Sequence, residues 1–273
     1  MSITINTNVS SLQTQKTLGR TQDALATTIN RLSTGHRLNS AKDDAAGMAI
    51  AEGMTSEIRA LKQGGRNGND GVSLIQTAEG GLNQTLGLLQ RMRELATQAS
   101  SGTYASADLT NLNTEYQSLM TEVDRVSNTV DFNGSELLNS SQTISVQVGS
   151  NNTNNDRLSI TLINASSSAL GIGGDVNNNS DAQAAMAVLS TAITTITTGL
   201  AGLGASQTNL EEAVGGNADR VTNLESARSR IVDTDFADES ANLSKLQILQ
   251  QSGAAMLSQA NSSGQVVLKL LQG

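Results

Sequence analysis

The chain has no cysteine, no proline and no tryptophan, and only two phenylalanines and two tyrosines among its 273 residues. Without cysteine, disulfides and thiolate metal sites are excluded. Without proline, no helix interior is broken by a fixed φ angle and a missing N–H group, so long helices are permitted. Because large rings are scarce, aliphatic side chains, alanine and methionine must fill narrow seams between helices.

Basic charge is also scarce. The formal net charge is −8 and the pI is near 4.7, which argues against binding to nucleic acid or to an anionic membrane surface. Residues 1–10 lack the basic and apolar regions of a Sec signal peptide. We expect no apolar run that approaches the roughly 20 residues of a membrane span. Taken alone, these features predict a soluble cytoplasmic protein.

Heptad spacing of apolar residues is the most frequent pattern in the chain. One run comprises Leu109, Leu112, Tyr116, Leu119, Val123, Val126 and Val130. A longer run comprises Met186, Leu189, Ile193, Ile196, Leu200, Leu203, Leu210, Val214, Val221, Leu224 and Ile231, with polar Gln207, Asn217 and Arg228 at the remaining positions. A period of 3.5 places each run on one stripe that must face a partner helix. A helix over 183–231 would be about 70 Å long.

Three further stripes have the same spacing. One lies between Val72 and Ala99 and comprises Ile75, Ala78, Leu82, Leu86, Leu89, Met92 and Ala96. The stripe near the start of the chain comprises Leu18, Leu25, Ile29 and Leu32, and the stripe at its end comprises Leu243, Leu246, Leu257, Ala260, Val267 and Leu271. Because short helices are marginal alone in water, we expect the two terminal stripes to be disordered in a monomer and to become ordered on assembly.

The middle of the chain has a different pattern. Residues 131–180 are rich in asparagine, serine and glycine, and within them 144–148 and 158–162 alternate apolar and polar residues. This alternation predicts a β-hairpin with a long loop, placed as a surface insertion that covers one side of a bundle. The predicted fold is therefore mainly α, a long antiparallel coiled-coil or bundle rod with a small β-hairpin insertion.

No constellation of catalytic residues is visible. The single histidine, His36, is interpreted as a surface residue, and a Ser-His-Asp triad would depend on it alone. The paired carboxylates at 43–44 and 211–212 point apart on a helix, and the acidic cluster at 233–239 lacks the glycine turn of a calcium loop. We therefore predict no enzyme activity, no cofactor and no metal.

Several sequence blocks carry a resemblance to a known family. Residues 32–51 read LSTGHRLNSAKDDAAGMAIA, in which Gly35 can end one helix, Ser40 can cap the next, and Asp43 and Asp44 lie near its positive end. Further blocks are RNGNDG at 66–71, SLIQTAEG at 73–80, VDFNG at 130–134, SRIVDTDFADES at 229–240 and QILQQS at 247–252. In this order the blocks closely resemble those of bacterial flagellins. The resemblance covers roughly 1–135 and 180–273.

The resemblance implies a short flagellin made of filament-core domains, a subunit that self-assembles into the flagellar filament. It implies an inner terminal coiled coil of 1–43 plus 234–273 and a helical bundle of 44–233, with 131–180 as its insertion. The terminal stripes would supply the assembly contacts. Export would use the flagellar type III apparatus, giving an extracellular location. The alternatives are a hook–filament junction protein, a minor flagellin and, from the heptads alone, a signalling coiled coil that would need membrane spans.

The same resemblance implies partners. These are further copies of the chain, an export chaperone at the C-terminal segment, the filament cap and the junction proteins. Residues 90–98 and Glu115 resemble the motif that the flagellin-sensing Toll-like receptor contacts. The implied receptor contacts are Gln90, Arg91, Arg93, Glu94, Leu95 and Glu115.

Overall fold

A computed structural model describes the backbone of residues 7–272 and the side chains of residues 7–263. Within these residues the fold is mainly α, as predicted, with two small antiparallel sheets. The helices are α1 (Val9–Thr34), α2 (Ala45–Ala99), α3 (Ser106–Thr129), α4 (Asn179–Val232) and α5 (Phe236–Gln272). The strands are β1 (Asp131–Phe132), β2 (Ser135–Glu136), β3 (Gln142–Gln147) and β4 (Arg157–Leu162). Packing divides the chain into one unit of residues 1–56 and 223–273, and another of residues 57–222.

The heptad runs form the core of the unit at 57–222. On α4, one heptad position is buried at every repeat: Ala182, Leu189, Ile196, Leu203, Leu210 and Asn217. On α3 the buried positions include Tyr116, Val123 and Val126. The stripe on α2 is buried at Ile75, Ala78, Leu82, Leu89, Met92 and Ala96. The sequence prediction of core faces on these three helices is confirmed.

The middle segment contains the predicted hairpin. Strands β3 and β4 pair antiparallel with Ile144 opposite Ile160 and Val146 opposite Leu158. A second hairpin, β1–β2, was not predicted, because its strands are two residues long and leave no alternation to read. Its turn needs left-handed backbone at Asn133 and Gly134, where φ is 51° and 77°.

The middle segment does not merely cover the surface. Its apolar side chains belong to the same core as α2, α3 and α4, including Leu137, Leu138, Val146, Val148, Ile160, Leu162, Ala165, Leu170, Ile172 and Val176. The loop after β4 is also fastened to α3, since the Asp124 carboxylate accepts hydrogen bonds from Ser167 N and Oγ, both at 2.8 Å. The hairpin covers one side of the bundle as predicted, with alternate residues exposed, and its other face belongs to the core. Alternating residues of a hairpin supply one apolar face. In a chain with few aromatic rings, this face fills part of the core volume.

The end of β3 is held by a close fit to two helices. The carbonyl oxygen of Val148 faces α2 at Gly64, where any Cβ would overlap it. The same oxygen accepts a 2.8 Å hydrogen bond from Nδ2 of Asn217, a buried residue of α4. This contact explains why Asn217, one of three polar residues in the heptad run of α4, is buried. An apolar side chain there would leave the Val148 carbonyl without that donor.

Helix α4 is long and apolar enough, by length and composition alone, to cross a membrane. The sequence expectation that no segment approaches such a span is therefore wrong for this helix, although the core helix of a globular protein passes the same test. Its apolar face contributes to the core just described. On its exposed side the hydroxyl groups of Thr191, Thr194, Thr195 and Thr198 donate to backbone carbonyls of the preceding turn.

The Gly64–Gly65 pair provides a direct test of the fit at Val148. Gly64→Ala should lower the free energy of unfolding by about 2 kcal/mol, because the methyl group displaces the Val148 carbonyl. Gly65→Ala is the matched control, since nothing lies within 4 Å of its Cβ position. It should raise the free energy of unfolding by about 0.5–1 kcal/mol through helix propensity. Denaturant unfolding followed by circular dichroism measures both, and equal effects at the two positions would contradict the close contact.

Candidate assembly and recognition surfaces

Helices α1 and α5 pair antiparallel within the unit of residues 1–56 and 223–273. At one end of the pair, Asn8 Nδ2 donates to the carbonyl of Ala260 and Ser11 Oγ donates to Asn261 Oδ1, both at 2.8 Å. At the other end, Arg31 Nη1 lies 3.9 Å from a carboxylate oxygen of Glu239, which is buried. Polar contacts at both ends therefore fix one register for the two helices.

The seam between α1 and α5 is only partly apolar. Six leucines of the predicted terminal stripes are half-buried in the described structure: Leu18, Leu25, Leu32, Leu243, Leu246 and Leu257. Threonine occupies the alternate heptad positions of α1, at 14, 21 and 28, and Gln250 and Gly253 occupy seam positions of α5. Leu18 packs against α5 at Gly253, with its Cδ1 3.4 Å from where a Cβ of residue 253 would stand. Such a seam buries less apolar area than a leucine-rich coiled coil.

A second set of apolar residues on the same helices is exposed. Ile29, predicted as part of the terminal stripe, is 51% exposed and lies outside the seam. The others are Val9, Leu12, Phe236, Ile248, Leu249 and Met256. Sequence reasoning missed these six because it followed one heptad stripe per helix. The signal that could have found two of them is the seven-residue spacing of Leu249 and Met256. Val267 and Leu271 lie outside the residues whose side chains are described.

The chain passes from α1 to α2, and from α4 to α5, through a compact junction. Helix α1 ends as predicted at Gly35, which has φ 74° and whose carbonyl accepts from Thr234 N at 3.0 Å. His36 forms a β-bridge with Asp233, and its Nδ1 lies 3.2 Å from the Asp233 carboxylate. Asp235 caps α5 by accepting from the backbone N–H groups of residues 237 and 238. These acidic groups and the exposed histidine thus have structural roles.

The start of α2 differs from the sequence prediction in one residue. Asp44, not Ser40, caps the helix, because its carboxylate accepts from Gly47 N at 2.9 Å. Asp43 instead closes the preceding loop by accepting from the backbone N–H groups of Asn39 and Ser40. These two hydrogen bonds lower the pKa of Asp43. Among the described residues, no group of three histidine or acidic side chains could hold a metal ion.

The proposed receptor-contact residues belong to the unit of residues 57–222. Arg91 on α2 donates from Nε and Nη2 to Glu115 on α3, at 3.0 and 2.8 Å, and from Nη1 to Glu94 at 3.0 Å. These hydrogen bonds raise the pKa of Arg91. Gln90, Arg93 and Glu94 line a shallow surface groove that Ile193 also borders.

Leu95 differs from the other five proposed receptor contacts. It is only 1% exposed and belongs to the hydrophobic core. Its side chain is therefore not presented to a partner. A surface contact in this region therefore depends on the charged residues and Gln90.

Comparison with known proteins gives matches at both ends of the chain. Residues 5–143 match the family described as the bacterial flagellin N-terminal helical region, and residues 186–271 match the bacterial flagellin C-terminal helical region. A flagellin of Halalkalibacterium halodurans is 38% identical over 270 residues, which covers 98% of this chain and 99% of that protein. The flagellar filament 30.7 kDa core protein of Treponema maltophilum is 38% identical over 282 residues, with the same coverage.

Solved structures show the same relationship. Bacillus cereus flagellin superposes with a TM-score of 0.51 at 28% identity, over 60% of this chain and 94% of that one. A putative flagellar hook-associated protein of Vibrio parahaemolyticus has a TM-score of 0.58 at 15% identity, over 70% of this chain and all of that one. At that identity the second match shows the fold alone. The relatives matched over nearly the full length do not favour the junction-protein alternative. The chain therefore belongs to the bacterial flagellin family and is a structural subunit of the flagellar filament, not an enzyme.

Proposed function

We propose that the exposed apolar residues of the α1–α5 pair are the contacts through which one copy of the chain binds the next in the filament. The observation that supports this is the exposure of seven large apolar side chains on the pair or at its ends. Burying an exposed side chain of this size stabilises an interface by roughly 1.5–3 kcal/mol. Contacts between different faces of neighbouring copies do not close on themselves, so they generate an open helical array.

The same surface supports different roles for two parts of the chain. The inner coiled coil would comprise 1–43 and 234–273, and the helical bundle would comprise 44–233. The partly polar seam of α1 and α5 supports the idea that the pair becomes stable only when further copies cover its exposed face, since most of the stability of a helix comes from packing of its apolar face. Strong amide protection of both helices in the free monomer, measured by hydrogen exchange, would contradict this ordering step.

Family membership supports a proposal for export and capping. We place the chain in the extracellular flagellum and propose the flagellar type III apparatus as its export route, with the N-terminal segment as signal. The exposed Ile248 and Leu249 lie in the C-terminal helix. An export chaperone that covers this segment would prevent premature association, and the filament cap and junction proteins would contact the ends of the polymer.

Seeded polymerisation of heat-dissociated protein in ammonium sulfate tests the assembly proposal. Sulfate strengthens apolar burial and screens the acidic subunits. We expect long filaments by negative-stain electron microscopy, and we expect none when residues 1–30 or 245–273 are deleted. Filament formation by both deleted chains would contradict the assignment of the assembly contacts to the terminal helices.

A point substitution tests the exposed face without removing a helix. Ile248 is 63% exposed, so Ile248→Gln should leave the helix content of the monomer unchanged. It should raise the critical concentration for polymerisation about 30-fold, which corresponds to about 2 kcal/mol of lost apolar burial. The control is Gln247→Ala, at an exposed polar position of the same helix, which should change the critical concentration less than threefold. Sedimentation of polymer at several protein concentrations measures both, and equal shifts would count against the apolar face.

We also propose that the surface formed by Arg91, Glu94 and Glu115 is the contact for the flagellin-sensing Toll-like receptor. The support is that an exposed guanidinium is held between two carboxylates on adjacent helices, a preorganised arrangement of donors and acceptors. Because these groups are exposed, their mutual attraction contributes little to stability, so substituting them perturbs the fold only slightly.

Arg91→Ala should therefore reduce activation of a receptor reporter at least tenfold while leaving thermal unfolding nearly unchanged. Arg125→Ala is the matched control, because Arg125 forms a comparable exposed pair with Glu122 on α3. Leu95→Ala is unsuitable as a contact probe, since truncating a buried leucine costs about 2–5 kcal/mol of stability. An unchanged response of the Arg91 variant, in an assay where the unmodified chain is active, would show that the contact is elsewhere.

A further inference from the structure

One methionine stands apart from the others in its exposure. Met256 on α5 is 62% exposed, whereas Met92 is fully buried. Met48, Met54, Met120 and Met186 are half-buried, so Met256 is the only exposed methionine among residues 7–263. A thioether is the softest and most readily oxidised group available in a chain without cysteine.

The surroundings of Met256 leave its sulfur open. The residues one turn away on α5 are Ser252, Gly253, Gln259 and Ala260, of which three are too small to cover it. Leu249, one heptad earlier, is also exposed and continues the same apolar face. Met256 therefore combines access to small reagents in the free chain with a place on the proposed assembly face.

We propose that Met256 is an oxidation site that controls whether a subunit can enter the polymer. A peroxide is the oxidant: the sulfur lone pair attacks one peroxide oxygen, the O–O bond breaks, an S–O bond forms, and the released oxygen leaves as water after proton transfer. The sulfur is oxidised to the sulfoxide and the peroxide is reduced. The product is a polar group that resists burial at an apolar contact.

This inference rests on the proposed assembly face and adds a consequence for the order of events. A free subunit would be sensitive to peroxide, whereas a subunit already in the filament would be protected, because its neighbour excludes the reagent from Met256. Oxidised subunits would then be kept out of the growing polymer. Methionine sulfoxide is reduced again by dedicated reductases, so the block would be reversible before export.

The first experiment tests whether Met256 is the oxidation site. The free full-length chain is treated briefly with hydrogen peroxide and analysed by peptide mass spectrometry. Met256 should gain one oxygen at least tenfold faster than Met92, and its rate should fall at least fivefold in preformed filaments. If the rate at Met256 is no faster than at Met92, or is unchanged by polymerisation, the inference is overturned.

Polymerisation of the treated protein tests the functional part. The oxidised chain should show at least a tenfold higher critical concentration, about 1.4 kcal/mol, and sulfoxide reductase should restore the original value. In the peroxide-resistant variant Met256→Leu, treated and untreated samples should agree. Normal polymerisation of the oxidised chain, or an equal loss in treated Met256→Leu, overturns the inference. Failure of the untreated chain to polymerise would instead overturn the proposed assembly face, and the mass spectrometry of the monomer would be unaffected.

Discussion

The packing of the unit at 57–222 depends on how closely a hairpin can approach two helices when large rings are scarce. The Val148 carbonyl reaches α2 only because Gly64 has no side chain, and Asn217 of α4 then satisfies that carbonyl. Helix α4 is buried at every seventh residue from 182 to 217. The scarcity of large rings explains this pattern too, because small and branched aliphatic groups can fill a narrow seam without voids. The hairpin is therefore part of the core that holds α2, α3 and α4.

The α1–α5 pair has a different distribution of polar and apolar side chains from the unit at 57–222. Its seam and its ends include the buried polar residues Ser11, Thr28 and Glu239, while several of its large apolar side chains are exposed. If every large apolar side chain of the pair were buried within one monomer, few would remain to contact another copy. The chain thus combines a buried apolar core in the unit at 57–222 with exposed large apolar side chains on the α1–α5 pair of the other unit.

Much of this architecture could be read from periodicity, and the failures have physical causes. Heptad spacing predicted the helices α3 and α4, and the alternation around Ile144 and Ile160 predicted the β3–β4 hairpin. Each pattern matches one backbone geometry. Whether the hairpin lies outside or inside the core could not be read, since alternation gives an apolar face but not what covers it. The family resemblance placed Leu95 in a contact surface, but a matched motif does not tell which of its side chains are exposed, and Leu95 packs inward. The leucines of the α1–α5 seam were found, but six of the seven exposed apolar residues were not, because exposure depends on which of two apolar stripes meets the partner helix.

The antiparallel register of α1 and α5 has a consequence for how the chain can be cut and joined. Asn8 is hydrogen-bonded to Ala260, although 252 positions separate them in the sequence. Asn8 and Ala260 are therefore neighbours in space, and a short connecting peptide would link these two positions with little loss of entropy. The contacts within this pair therefore do not depend on the order in which the chain supplies the two helices. A circularly permuted gene, opened in an exposed turn such as that at Gly134, would encode the same set of helix contacts in a different order.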